Sequence, residues 1–293
     1  MKKHKICKIL LVILAIFLCV AFYELLGICV AYKKQPEVSN TTKKETKNGS
    51  WNECSENTER AVIIEKNPEA LLQRVRLIKN AKKEIILSTF AFQSDESGKL
   101  ILGALHDAAD RGVHIRLLVD GMESWIDMEG NPYFYGLSSH ENVEIKLYNK
   151  ANPLKPWKMM GRMHDKYLIA DGKRYILGGR NTYNYFLGDF PGHKNYDRDV
   201  LVVCDEPEKE NSVNQLSEYF ETIWNQEDSG YFHNNKKLAN RKSVKNAVLE
   251  LQNSYQKYFE ENKERICETD YTDETFETEK ITLVSNPIHT GSK

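Results

Sequence analysis

The sequence predicts an α/β fold: a mixed β-sheet flanked by helices on both faces, preceded by one transmembrane helix. Three observations carry this. Apolar strands and amphipathic helices alternate between residues 61 and 120, an Asp-Gly hairpin joins two apolar runs near residue 171, and an apolar stretch of membrane-spanning length opens the chain. Strand-helix-strand alternation implies parallel crossovers, and a hairpin implies antiparallel pairing, so the sheet must be mixed.

Ile6 to Tyr32 is almost wholly apolar, interrupted only by Lys8 and Glu24. That exceeds the roughly 20 residues a helix needs to cross a bilayer and is longer than a usual signal core. Lys2, Lys3, Lys5 and Lys8 precede or open it, which places the amino terminus in the cytoplasm and the rest outside, as a single-pass cell-membrane protein. A cleaved signal peptide is the alternative, with small residues at Ala21 and Ala31. Leu26-Gly27-Ile28-Cys29 departs from a lipoprotein box because Ile precedes the Cys. The expected organisation is a membrane anchor over 1–32, a flexible linker over 33–60, a folded lobe over 61–228, and a helical linker with the start of a second lobe over 229–293. Residues 33–60 are rich in Lys, Thr, Asn and Glu and lack apolar periodicity.

Order begins at the strand Ala61–Ile64. Pro68 marks a helix start, and Leu71, Leu72, Val75, Ile78 and Ala81 recur at helical spacing as far as Lys83. Glu84 to Phe92 is β-rich and apolar, as a buried strand is. A helix from Ser97 to Asp110 ends at Arg111-Gly112 and feeds a strand, Val113 to Asp120. Tyr167 to Ala170 and Arg174 to Leu177 form the hairpin around Asp171-Gly172. Pro207 to Trp224 closes the lobe as a helix, and Val244 to Glu264 forms a long charged one.

The segment Met163 to Asn181, MHDKYLIADGKRYILGGRN, carries the chemistry. Residues two apart on an extended chain share a face, so His164 and Lys166 enter one pocket while Asp165 points away. The hairpin returns Gly178-Gly179-Arg180-Asn181 close to its start. A neutral imidazole can attack phosphorus, an ammonium can hold phosphoryl oxygens, and an amide can donate to them. Asp171 also has a backbone role, as the first residue of an Asp-Gly turn.

His164, Lys166 and Asp171 stand as HxKxxxxD followed by GGRN, which resembles the HKD signature of the phospholipase D superfamily, in its bacterial cardiolipin synthase branch. Tyr196-Asp197-Arg198-Asp199-Val200-Leu201 resembles the acidic segment after that motif. The resemblance spans Ala61 to about Trp224. It implies a phosphodiesterase or phosphatidyltransferase acting on phospholipids through a phosphohistidine on His164. Lys166 and Asn181 would stabilise charge, Asp171 is the third motif residue, and Asp199 would orient His164, with Asp197 as its rival. A nuclease of the same superfamily, or a catalytically inactive lipid-binding half of a two-lobed enzyme, are the other readings.

The resemblance also implies a second histidine as general acid, yet no second HxKxxxxD follows. Lys280 to Pro287 repeats the pattern of Ala61 to Pro68, a short apolar run closed by Asn-Pro, with Asn286 lying 219 residues after Asn67 (286 − 67). We read this as a second lobe cut off at its start. A chance recurrence of a common turn dipeptide is the plainer account, and a homodimer pairing two His164 residues is the rival source of the missing group.

Composition narrows the field. With 293 residues, 41% hydrophobic content and a formal charge of −1, the chain holds one sizeable domain and lacks the basic excess that makes nucleic acid an expected partner. Six cysteines include Cys7, Cys19 and Cys29 in the apolar stretch and Cys54, Cys204 and Cys267 outside it. They form no CxxC or His/Cys cluster, so no metal, cofactor or disulfide framework is expected. Asn149 to Arg162, NKANPLKPWKMMGR, sets basic and aromatic residues before the motif. It reads either as the rim of a site facing anionic lipid or as a proline-broken loop whose Trp packs inward. His193 and Lys194 are further phosphate-contact candidates.

Overall fold

The computed structural model describes residues 2–33, 44, 59–204, 206, 211–267 and 270–285. In chain order the elements are α1 (Lys2–Lys33), β1 (Glu59–Ile64), α2 (Asn67–Asn80), β2 (Glu84–Thr89), α3 (Glu96–Asp110), β3 (His114–Asp120), α4 (Gly121–Asp127), α5 (Pro132–Ser138) and β4 (Val143–Tyr148). A 3-10 turn at Pro156–Met160 follows, then β5 (Tyr167–Ala170), β6 (Arg174–Gly178), β7 (Asp199–Cys204), α6 (Ser212–Trp224), β8 (Ser229–Tyr231), α7 (Lys242–Glu261), α8 (Lys263–Cys267) and β9 (Phe276–Glu277).

Among the described residues, nine strands form one mixed sheet in the order β8-β4-β3-β2-β5-β6-β7-β1-β9. The crossovers through α3 and α5 make β2, β3 and β4 parallel, whereas every other neighbouring pair is antiparallel. Strand alternation sorts the apolar side chains between two faces. Leu168, Ile115, Leu117 and Leu201 face a layer of α2, α3, α5, α7 and α8. Tyr167, Ile169, Leu118 and Val202 face α6. Helices therefore cover both faces, as the sequence predicts.

Asp171 and Gly172 both have positive φ (56° and 62°), the conformation an Asp-Gly turn requires. Three departures from the sequence reading have physical causes. The strand containing the motif begins at Tyr167, and residues 163–166 are a lead-in tied to the sheet through the Lys166 carbonyl, which accepts the Gly178 amide at 3.2 Å. Residues 229–277, read as a linker towards a second lobe, build both edges of the same sheet, with β8 on β4 and β9 on β1. Lys280 to Ser285 is irregular where a strand was expected: Ile281 and Leu283 pack beside α6, and the Leu283 amide donates to Gln215. Asn286, Pro287, Cys54 and nearly all of the 33–60 linker lie outside the described residues.

Candidate active site

Antiparallel pairing of β2 with β5 sets Ser88 opposite Tyr167, so the chain leaving β2 runs beside the residues that precede β5. Phe90, one residue beyond β2, is the centre of the resulting cluster. Its ring centroid lies 4.6 Å from that of His164, 5.2 Å from the Lys166 ammonium and 4.9 Å from the Arg162 guanidinium. His164 is exposed and Lys166 is only 4% exposed, so the first presents its ring to the cleft while the second lies beneath it.

The segment after the double glycine is stitched to the same place. Thr182 donates its amide to the Ala91 carbonyl at 3.0 Å, and Gln93 donates to the Thr182 carbonyl at 3.2 Å. The Ala91 amide donates to Oδ1 of Asn181 at 3.2 Å. Because that bond occupies the carbonyl end, the amide of Asn181 is oriented as the donor towards its surroundings.

Electrostatics favour a neutral imidazole. Burial, and then the Lys166 ammonium, lower the pKa of His164, which keeps its ring neutral at neutral pH. Burial lowers Lys166 to about 8, against the raising influence of Asp165 and Asp197. Its ammonium donates to the backbone carbonyl of His164 at 2.7 Å. Asp165 turns to the opposite face, where it accepts from the Tyr219 hydroxyl at 2.9 Å. Burial raises its pKa, the Tyr219 bond opposing.

The two candidate acids separate clearly. Asp199, expected to orient His164, sits on the α2 side of the sheet. Its Oδ2 meets Arg74 at 2.9 Å and Arg180 at 3.2 Å, with all three side chains buried. The carboxylate-imidazole bond assigned to Asp199 is therefore absent, because two guanidinium groups hold that carboxylate. Asp197 lies across Gly179, whose Cα hydrogens leave room that any Cβ would take from its carboxylate, and it acts electrostatically on Lys166. Among the described residues, neither ring nitrogen of His164 has a hydrogen-bond partner.

Asp171 is at the far end of β5 and accepts from the amides of Lys82, Lys83 and Glu84 at 2.7–3.1 Å, clamping the hairpin to the start of β2. His193 and Lys194 are engaged on their own loop, with Asn195 and the Asn184 carbonyl. The Phe90 ring thus gathers His164 and Lys166, Asn181 is tied to the next residue, Ala91, Asp197 acts on Lys166, and Asp171 and Asp199 are engaged in bonds elsewhere.

Phe90 and Asp120 were not anticipated. Asp120 ends β3 and caps α4 through the amides of Met122 and Glu123. It also takes the Arg162 guanidinium at 2.9 Å and the Met163 amide at 3.0 Å, and so fixes the lead-in to His164. An acid at the carboxyl end of a parallel strand was the available signal for Asp120. Phe90 had none, since its position depends on pairing between distant strands.

The family profile described as "Cardiolipin synthase, PLD-like domain" matches residues 74–224. An uncharacterised protein of Helicobacter pylori is 30% identical over 212 residues, covering 67% of this chain and 39% of that protein. Cardiolipin synthase C of Escherichia coli is 30% identical over 154 residues, covering 48% of this chain and 31% of the synthase. The chain spans less than half the length of these curated relatives. Among solved structures, NucT from Helicobacter pylori is similar with a TM-score of 0.47 and 18% identity, over 59% of this chain and 99% of that one.

Proposed function

The chain belongs to the family of cardiolipin synthase, phospholipase D-like domains, and from that membership we propose that it cleaves or transfers a phosphodiester of a phospholipid, with His164 as nucleophile. The observation that supports this reading is the meeting of His164 and Lys166 at the Phe90 ring, with Asn181 held by the amide of the adjoining Ala91. A ring nitrogen of His164 attacks phosphorus, a nitrogen–phosphorus bond forms, and the bond to the leaving oxygen breaks. Lys166 and the Asn181 amide stabilise the charge that grows on the non-bridging oxygens. Water or an alcohol then displaces the histidine, giving hydrolysis or phosphatidyl transfer.

The departing oxygen needs a proton, and His164 cannot supply it while it is bonding to phosphorus. A second copy of the motif, in a partner chain or a further lobe, provides the acid. Two features favour a lipid over nucleic acid: the apolar helix His4–Val30, long enough to cross a bilayer, and the near-zero net charge. In this reading α1 anchors the protein in the cell membrane, with the domain on the extracytoplasmic side.

The test uses the full chain in vesicles containing phospholipid radiolabelled at phosphorus. The expected product is a protein-bound label stable to alkali and lost in acid, as a phosphohistidine is, and absent from His164→Ala. A folded protein that labels with no diester supports the inactive lipid-binding reading. Salt-sensitive cleavage of DNA without lipid turnover supports the nuclease reading.

A further inference from the structure

Among the described residues, the carboxyl half of α1 meets the folded domain at the loop that precedes the catalytic lead-in. The Tyr23 hydroxyl donates to the Leu154 carbonyl at 2.8 Å. Gly27 is the buried position among the described residues of α1, and a Cβ added there would collide with the ring of Pro156. A 27-residue span is about 40 Å long at about 1.5 Å per residue, against a hydrocarbon core of about 30 Å. With Lys8 at the inner boundary, roughly 20 residues of core end near Ile28, so Gly27 meets the loop at the outer boundary and Tyr23, five residues before Ile28, meets it about 7 Å within the leaflet.

The surfaces beside that contact are unusually apolar for water. Leu154 is 79% exposed, and Trp125 and Ile126 on α4 are 65% and 66% exposed. Trp125 lines one hollow with Lys150 and Ala151, so α4 and the loop are neighbours. On its other side α4 carries Glu123, which holds Arg162 at 2.8 Å and hence borders the catalytic cluster. Lys155 is exposed among them.

We propose that α4 and the 150–158 loop form a membrane-docking face: Trp125, Ile126 and Leu154 enter the leaflet at the carboxyl end of α1, and the mouth of the His164 cleft opens onto that leaflet. The occupant is lipid, because the face is continuous with the membrane span through Tyr23 and Gly27 and the exposed charges of its loop, Lys150 and Lys155, are cationic, while Glu129 beside Trp125 is paired with His233. The consequence is that a diester reaches His164 by lateral movement within the leaflet, without crossing water.

This proposal rests on α1 being the anchor suggested above, and the two can fail separately. The full chain, with its six native cysteines replaced, is reconstituted in vesicles containing anionic phospholipid. Single cysteines at Ile126→Cys, Leu154→Cys and Lys173→Cys carry an environment-sensitive fluorophore. Lys173 is in the hairpin turn at the end of β5 remote from His164. Labels at 126 and 154 are expected to be quenched by nitroxide-bearing lipids and to resist aqueous iodide several-fold better than the label at 173. Gly27→Leu, which displaces Pro156, is expected to return the 154 label towards iodide. Release of the protein by alkaline carbonate overturns the anchor. An inserted protein overturns the docking face if either label matches the one at 173, if either is shielded from both quenchers as in a protein–protein contact, or if Gly27→Leu changes nothing.

Discussion

Replacing Lys166 with Met should abolish turnover and, at neutral pH, make the domain more stable. A lysine drawn from 10.5 to about 8 by burial carries a desolvation cost of roughly 3 kcal/mol when charged, at about 1.4 kcal/mol per pH unit. Its compensating bond to the His164 carbonyl contributes about 1–2 kcal/mol, and methionine fills similar volume with no charge to bury. The net expectation at pH 7 is a gain of about 1–2 kcal/mol. The pH dependence fixes the cause. Folded Lys166 releases its proton near 8, whereas an unfolded lysine holds it to about 10.4. Between those values the unfolded chain binds the extra proton and wild-type stability rises with pH, by about 2 kcal/mol from pH 8 to about pH 9.5. Urea unfolding of both proteins in mild detergent, followed by tryptophan fluorescence, should show the mutant ahead at pH 7 and the gap closed at high alkalinity. A mutant less stable at pH 7, or a difference independent of pH, refutes a desolvated ammonium beneath His164.

Three further outcomes follow from the same geometry. The profile of kcat/KM against pH should have its acid limb below the ordinary histidine value of about 6.5, since burial and Lys166 lower His164. Its alkaline limb should fall near 8, where Lys166 loses charge, and Lys166→Arg should remove that alkaline limb from whatever activity remains. Asp199→Asn should destabilise by about 3–5 kcal/mol by uncompensating buried Arg74 and Arg180, whereas Asp197→Asn should change stability by less than about 1 kcal/mol and depress turnover. Equal stability losses for the pair would refute the separation of the two acids. Asp171→Ala should cost about 1–2 kcal/mol through the freed amides of Lys82, Lys83 and Glu84, leaving kcat of the folded fraction unchanged; a large fall in kcat would restore a chemical role.

The periodic features of the sequence were the legible ones. Leu71, Val75 and Ile78 at helical spacing, and the β-rich run from Glu84, prescribe α2 and β2 through local physics, and Asp171-Gly172 prescribes the turn. The shared face of His164 and Lys166 follows from extended backbone alone. What escaped depends on strand order. Phe90 reaches His164 because β2 lies against β5, a pairing of residues about eighty apart in sequence. The choice between Asp197 and Asp199 depends on Arg74, which arrives from α2. A carboxylate facing two buried guanidinium groups is invisible until that helix is docked. The edges supplied by β8 and β9 were missed because two- and three-residue strands leave almost no pattern.

The 2.7 Å bond between the Lys166 ammonium and the carbonyl of His164 has a consequence for affinity. An arriving phosphodiester does not meet an idle cation; it competes with a peptide oxygen already in place, so binding is an exchange of one acceptor for another and yields little net attraction. In the proposed mechanism, as negative charge accumulates during attack, the phosphoryl oxygens would outcompete the carbonyl, and the attraction would be felt at the top of the barrier instead of in the resting complex. A free anion should accordingly make a feeble inhibitor, and a compound imitating the five-coordinate phosphorus a strong one.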